Sequence, residues 1–281
     1  MNDSFRSQSG KPYSARDWLD NHHSIKSRLR SELILGLPIN SGSRVLDIGC
    51  GTGVWTLLIA EMLGHSGTII GVDVDKDAIE LAERRRLSHY LGDRISFKCS
   101  DVTKYSPDEK FDYVILFNAL SYLPNPSSFL KQILSLIHEG GTLIIKDSDL
   151  GSDFFWPVDM DLYYRLMLRI TKFDETHGKN NYDPFFARKV PGILKEVGFS
   201  DIDVTSQSFS FSYPVDEKQR KYIAENGKMI SESASLAGDK EGAKKWACQF
   251  EGQPSSAIFD DPKFLYSMTE FIFQARFPVN S

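Results

Sequence analysis

Three glycines at alternate positions, Gly49, Gly51 and Gly53, follow Val45-Leu46-Asp47-Ile48 and lead into an apolar stretch from Val54 to Leu63. That spacing predicts strand, tight loop and helix. Glycine serves where a loop takes positive φ or lets a ligand lie against bare backbone, and the amides opening the next helix favour an acceptor group. One glycine would suit any strand-to-helix turn; three alternating ones behind Asp47 point to a cofactor cradle. A dinucleotide fingerprint, G-x-G-x-x-G/A, requires Gly or Ala where this chain has Val54. With Asp47 before it and no basic residue adjoining, the loop suits a ligand bearing a carboxylate and an ammonium better than a pyrophosphate. Backbone amides would take the carboxylate, and Asp47 or a bridging water the ammonium.

Further polar residues recur where strands end. Asp73 closes a strand one β-α unit beyond the glycine loop, where a carboxylate accepts hydrogen bonds from a ribose. Asp101 stands where it can take a purine amino group or cap a turn; Asn118 and Asp147 end two later strands. Groups for moving a proton are few: His22 and His23 near the amino end, with the pKa suited to neutrality, and Asp147 with Asp149 past the fifth strand. A histidine pair ahead of a helix is also an ordinary solvated feature, and Asp147 and Asp149 also read as loop caps. Tyr122 either lines a pocket or packs.

The elements that must hold these residues follow from periodicity. Strands are expected at Ser43–Ile48, Gly67–Asp73, Ile95–Cys99, Phe111–Phe117 and Thr142–Asp147, the last entered by a turn at Gly140-Gly141. Helices are expected at Val54–Leu63, Ala78–Leu87 and Pro126–His138. Near-continuous apolar strands alternating with helices give a doubly wound, parallel sheet, whose ligand lies outside the carboxyl ends of the strands. Residues 1–12 read as a mobile tail and Tyr13 to Asn40 as one or two helices, so that 1–40 form a tail and helical cap and 41–281 the main domain. Two insertions interrupt that domain, at about 148–186 and 212–262. The first carries a helix over Val158–Phe173, a loop at Gly178-Lys179-Asn180-Asn181, and the aromatics Phe154, Phe155, Trp156, Tyr163, Tyr164, Phe173, Tyr182, Phe185 and Phe186. Some of these pack a core; their density makes an aromatic acceptor pocket the expectation, with Tyr122, Trp156 and Tyr163 as its contacts and Phe250 to Phe264 as a further wall. A short helix at Val190–Val197, helical composition over Asp216–Gln249 broken at Gly238, and strands at Ile202–Phe211 and Leu265–Phe277 complete the chain.

Composition bounds the partners. The 281 residues carry a net charge of -5, and no run of Lys/Arg stands out, which favours a small-molecule partner over nucleic acid or an anionic membrane. No apolar stretch approaches a membrane span and the amino end is polar, so the chain reads as cytoplasmic, a monomer or homodimer. Cys50, Cys99 and Cys248 are odd in number and scattered, giving neither a disulfide framework nor a metal site.

Val45 to Gly53 resembles motif I of the class I S-adenosylmethionine-dependent methyltransferases, and Gly71-Val72-Asp73 their ribose motif. Ser100-Asp101-Val102, Phe111-Asp112-Tyr113-Val114 and Gly140-Gly141-Thr142-Leu143 resemble the later motifs in the right order. The resemblance covers about residues 40 to 150. It implies a Rossmann-like, seven-stranded α/β sheet with an antiparallel last strand and S-adenosyl-L-methionine as cofactor. Carried over by position, it places Gly49 and Gly51 at the methionine, Asp73 at the ribose, Asp101 and Val102 at the adenine, and Asn118, Ala119 and Leu120 at the cofactor's inner edge; Asp47, Gly53 and Val74 belong to the same set. It further implies methyl transfer to an O, N or C atom of an apolar or aromatic small molecule, in specialised metabolism, with His23, His22 or Asp147 as base and no metal. Non-methylating chemistry at the same sulfonium, a non-catalytic S-adenosylmethionine-binding protein and a nicotinamide oxidoreductase are the alternatives, the last weakened by Val54. DNA amino-group methylation is disfavoured by Asn118-Ala119-Leu120-Ser121 after strand four, and arsenic methylation by the lack of paired reactive thiols.

Overall fold

A computed structural model describes residues 22–123, 125–177, 183–250 and 257–278. The expected tail over 1–12, the start of the following helical run up to Asn21, the loop at Gly178 to Asn181, Tyr182 and residues 251–256 lie outside the described residues.

Eight strands form one sheet: β1 (Arg44–Ile48), β2 (Thr68–Asp73), β3 (Ile95–Cys99), β4 (Phe111–Phe117), β5 (Ile137–Ser148), β6 (Phe154–Trp156), β7 (Ser200–Ser212) and β8 (Leu265–Arg276). Their order is β3-β2-β1-β4-β5-β8, with β7 on the outer edge of β8 and β6 prolonging the line of β5 along β8. The first five strands pair in parallel; β8 runs antiparallel to β5, β6 and β7. The mostly parallel sheet with an antiparallel last strand is therefore the observed architecture. It has one strand more than the seven expected, because Phe154–Trp156 pairs with Leu265–Ser267. Three residues are too few to show a period of two.

The helices are α1 (Ser27–Leu35), α2 (Val54–Leu63), α3 (Lys76–Leu87), α4 (Pro126–Ile133), α5 (Met160–His177), α6 (Val190–Val197), α7 (Glu217–Leu236) and α8 (Lys240–Ala247). Central strands are apolar on both faces because both are covered. Val45, Ile115 and Ile144 share a core with α1, α2 and α3, whereas Leu46, Val114 and Ile145 share one with α4 and α6. The cap helix α1 enters the first of these through Leu33 and Ile34.

The helix expected over Pro126–His138 stops at Ile133, and β5 begins at Ile137, paired with Phe111. Gly140 and Gly141 lie inside that strand, where the register shifts, rather than in a turn before it. The Gly140 amide donates to the Phe277 carbonyl at 3.0 Å, and the Phe277 amide to the Gly141 carbonyl at 2.9 Å, so the pair is tied to the chain's final strand.

The two insertions fold against each other. Phe155, Tyr163, Tyr222, Trp246, Phe250 and Tyr266 belong to a third core, built from α5, α7, α8 and β8. A capping box, Asp216 with Gln219, starts α7, and Asp239 starts α8 by accepting from the Gly242 amide at 2.8 Å. No described helix is long and apolar enough to cross a membrane.

Candidate functional site

The glycine loop folds as its spacing requires: Gly49, Gly51 and Gly53 have φ of 72°, 53° and 76°. Their tasks differ. A Cβ on Gly49 would stand 2.6 Å from the Ala119 Cβ, so this glycine lets the exit of β4 close on the loop. A Cβ on Gly53 would meet the Phe97 ring at 2.6 Å and the Ala82 Cβ at 2.9 Å, so Gly53 seats α2 against β3 and α3. Gly49, Cys50 and Gly51 line the cavity above the sheet, and Gly53 is not among its lining residues. Asp47 also stays out of the cavity. It is 1% exposed and accepts from the Thr56 hydroxyl at 2.5 Å, which fixes the first turn of α2; burial pushes its carboxyl up to about 7. Asp47, expected along with a bridging water as the partner of an ammonium, is bonded within the fold.

The cavity, of about 440 Å³, follows the carboxyl edge of the sheet. Strand order places Asp101 and Val102 beyond β3, Asp73 and Val74 at β2, the glycine loop at β1, Asn118 and Ala119 at β4, and Asp147 at β5, all in its wall. Asp73 braces the loop: Gly51 donates its amide to Oδ2 at 2.8 Å and Asp75 to Oδ1 at 2.9 Å. Asp101 caps the next turn by accepting from the Thr103 amide (2.9 Å) and hydroxyl (2.7 Å). Bare loop backbone beside a braced carboxylate, with the apolar Val102 further on, fits a nucleoside that carries an amino-acid tail. Asn118 adopts φ of 54°, a conformation Asn tolerates better than most residues, and Lys146 donates to its Oδ1 at 3.0 Å. Asp147 accepts from the Ser148 amide at 2.9 Å through one oxygen; Oδ2 is buried with no hydrogen-bond partner among the described residues. Burial pushes this carboxyl up to about 7.

A buried charge network forms the far wall. Glu270 on β8 lies 2.8 Å from the Lys26 ammonium and 3.2 Å from that of Lys146. Burial opposes the Glu270 charge, but Lys146 and Lys26 hold its carboxyl well below the usual range. Burial lowers Lys146 to about 8 even with Glu270 opposing. Lys26 is likewise opposed by burial, yet Glu270 keeps it above the ordinary lysine value. Arg30 stacks 4.9 Å from the Trp55 ring centroid. Tyr222, Asn226 and Met229 from α7 and Met268 from β8 complete the wall. Sequence reading passed over all of these. Lys26 and Arg30 are four apart, a spacing shared with any solvated helix face, and the available signal was Lys146 and Glu270, charges inside otherwise apolar strands.

His22, His23, Tyr122 and Asp147 do converge on the cavity. His22 is buried, with Nε2 3.3 Å from Glu225 and its ring 4.4 Å from that of Tyr222; burial, then Lys26 and Arg30, keep its pKa well below the ordinary value, so it is neutral. The His23 Nδ1 is buried without a hydrogen bond among the described residues. Burial raises the Tyr122 hydroxyl, which stays protonated. Trp156 and Tyr163 lie elsewhere. Trp156 is exposed on β6, and Tyr163 packs in the third core, donating to the Asp153 carbonyl at 2.7 Å. Asp149 pairs with Arg188 and caps the Gly151 amide. The described aromatics of 148–186 are absent from the cavity wall, as are Phe250, Phe259 and Phe264, which sit in the third core. Aromatic density there built an interior, and the rings facing the cavity are Trp55, Phe117, Tyr122, Phe129 and Tyr222. Cys50 is buried in the wall with its thiol raised by burial, Cys99 and Cys248 are exposed, and no group of three or more metal-binding side chains occurs among the described residues.

A family model described as a methyltransferase domain matches residues 39–190. A demethylmenaquinone methyltransferase of Geobacillus sp. (strain WCH70) is 24% identical over 188 residues, covering 64% of this chain and 80% of the relative. One from Staphylococcus saprophyticus is 25% identical over 217 residues, covering 73% of this chain and 90% of its own. Among solved structures, the YcgJ protein of Bacillus subtilis superposes with a TM-score of 0.56 at 15% identity, covering 90% of this chain and 100% of that one, a likeness of fold.

Proposed function

The chain belongs to the methyltransferase-domain family, with S-adenosylmethionine as cofactor, and on that premise we propose that it methylates an O, N or C atom of a small apolar or aromatic acceptor. The observation that carries this reading is the continuity of one cavity from the glycine loop and Asp73 to Asp147, Tyr122 and the wall of α7 and β8. Its volume lies within the range of small-molecule sites, about 300–1,000 Å³. A net charge of -5 without a basic run supports a small acceptor over nucleic acid, in a cytoplasmic, specialised-metabolic setting.

In this reading Gly49 and Gly51 offer backbone to the cofactor's amino-acid tail, Asp73 and Val74 hold the ribose, Asp101 and Val102 the adenine, and Asn118 and Ala119 the inner edge. When bound, the cofactor supplies an activated methyl on a sulfonium. The protein's task is then chiefly alignment, which contributes up to about 7–11 kcal/mol when reacting atoms are held in line. Trp55, Tyr122 and Tyr222 enclose the acceptor and exclude water. Where the acceptor atom carries a proton, Asp147 receives it: the carboxyl is buried in the cavity wall beside Ser121 and is poised near neutrality. His22, neutral and engaged with Glu225, positions the amino-terminal wall, and the His23 Nδ1 is the second candidate base.

Calorimetric titration tests the reading. S-adenosylmethionine is expected to bind and NADH not; binding of NADH alone would refute it. Asp73→Ala is expected to weaken S-adenosylmethionine by about 1.5–3 kcal/mol, the loss associated with hydrogen bonds to a charged group. An unchanged affinity removes Asp73 from the ribose site.

A further inference from the structure

Three cations stand in the cavity wall against one carboxylate: Lys26, Arg30 and Lys146 against Glu270. Both lysines direct their ammonium groups at that carboxylate. Arg30 gives one long hydrogen bond, Nη2 to the His22 carbonyl at 3.4 Å, while its Nε and Nη1 are buried with no acceptor among the described residues. The residue is only 6% exposed. Of the acids nearby, Asp147, which adjoins Lys146, is pushed up to about 7 by burial. Glu225 lies against His22, and Asp153, beneath the Tyr266 hydroxyl at 3.3 Å, is pushed up to about 7 by burial. A buried charge with unmet donors is costly unless something pairs with it. Burial lowers the guanidinium to about 10, which leaves it charged at neutral pH. Its planar fork is matched in shape and charge by a carboxylate, which takes two parallel N–H bonds.

Position separates this site from the cofactor's own carboxylate. The cations centre on Lys146 of β5 and Glu270 of β8, beside Met268 and Tyr222, whereas the cofactor loop stands at β1, where Gly49, Cys50, Gly51 and Gly53 donate their amides within the fold. The Trp55 ring lies 4.9 Å from the Arg30 guanidinium and 5.5 Å from the Lys146 ammonium, giving the cationic wall an aromatic face.

Building on the methyl-transfer reading above, we propose that Arg30, supported by Lys26 and Lys146, is the subsite for a carboxylate on the methyl acceptor, so that the acceptor is an aromatic or apolar acid. The bound carboxylate brings the network of Lys26, Arg30, Lys146 and Glu270 from three cations and one anion to three and two. A neutral ester or amide of the same acid leaves Arg30 without its partner.

The test uses the full chain saturated with S-adenosylhomocysteine, titrated by calorimetry with benzoate and, in parallel, benzamide. Benzoate is expected to bind roughly tenfold or more tightly than benzamide, and Arg30→Gln to erase that preference while S-adenosylhomocysteine affinity stays within about threefold. The retained S-adenosylhomocysteine binding also reports that the variant is folded. Equal or absent binding of the two probes overturns the proposal. So does an Arg30→Gln variant whose S-adenosylhomocysteine affinity falls about tenfold, which assigns the guanidinium to the cofactor's carboxylate. Failure of the wild-type chain to bind S-adenosylhomocysteine at all overturns the methyl-transfer reading instead.

Discussion

Asp147 and Asp73 are both strand-end aspartates in one cavity, and their surroundings give them opposite work. Asp73 is braced by the Gly51 and Asp75 amides, while Asp147 accepts from the Ser148 amide, lies beside Ser121 and has its carboxyl raised to about 7 by burial. With an acceptor that must lose a proton, turnover is expected to rise through about pH 7, because only the ionised carboxylate accepts the proton. Asp147→Asn is expected to lower turnover by roughly 10²–10⁴-fold and remove that rise; a pH profile unchanged in shape would move the role to His23. Sequence gave access to Asp73, Asp101, Asn118 and Asp147 because a parallel sheet delivers every strand end to one edge. Arg30, Lys146, Tyr222 and Glu270 were hidden for the complementary reason. They arrive from four elements, α1, β5, α7 and β8, and only packing brings them together.

At the level of the element, the glycine loop serves ligand and scaffold separately. Gly53→Ala is expected to cost on the order of 2–4 kcal/mol of stability, from a left-handed backbone carrying a side chain and a Cβ pressed on Phe97. Chemical denaturation measures this. Affinity for S-adenosylmethionine, taken where the variant is folded, is expected to fall less than for Asp73→Ala, and the reverse order would place Gly53 at the ligand. Helix α2 and strands β3 and β4 have the bounds that periodicity predicted, their runs stopping at Gly64, Ser100 and Asn118. The start of β5 did not. Gly140-Gly141 carries the composition of a turn, and what makes it strand is pairing to Phe277, which no local pattern contains.

Across the whole molecule, buried carboxyls set the response to pH. Asp47, Asp147 and Asp153 are each raised from 3.8 to about 7 by burial. Between those values the folded chain keeps protons that the unfolded chain has released, so raising the pH favours unfolding until about 7, above which the effect is complete. Neutral His22 acts in the opposite sense below its ordinary value of 6.5 but is one group against three. Stability of the ligand-free protein is therefore expected to fall from about pH 5 to about pH 8, with Asp47→Asn, outside the cavity, falling less. Equal declines in denaturation midpoint would show that Asp47 is ionised throughout. The mostly parallel sheet with its antiparallel last strand was legible from the sequence, whereas the joining of 148–186 and 212–262 into one core was not, since aromatics that pack and aromatics that line a pocket look alike as letters. The placing of β8 also bears on how the protein comes into being. Residues 265–276 slot between β5 and β7 and contribute Met268 and Glu270 to the cavity. A chain emerging from the ribosome thus makes its glycine loop early, yet leaves an open sheet edge and two buried lysines without their counter-ion until residues 265–276 appear. That wall of the cavity closes only when β8 docks, and a chain ended before residue 265 would carry every cofactor motif without the Glu270 that pairs Lys26 and Lys146.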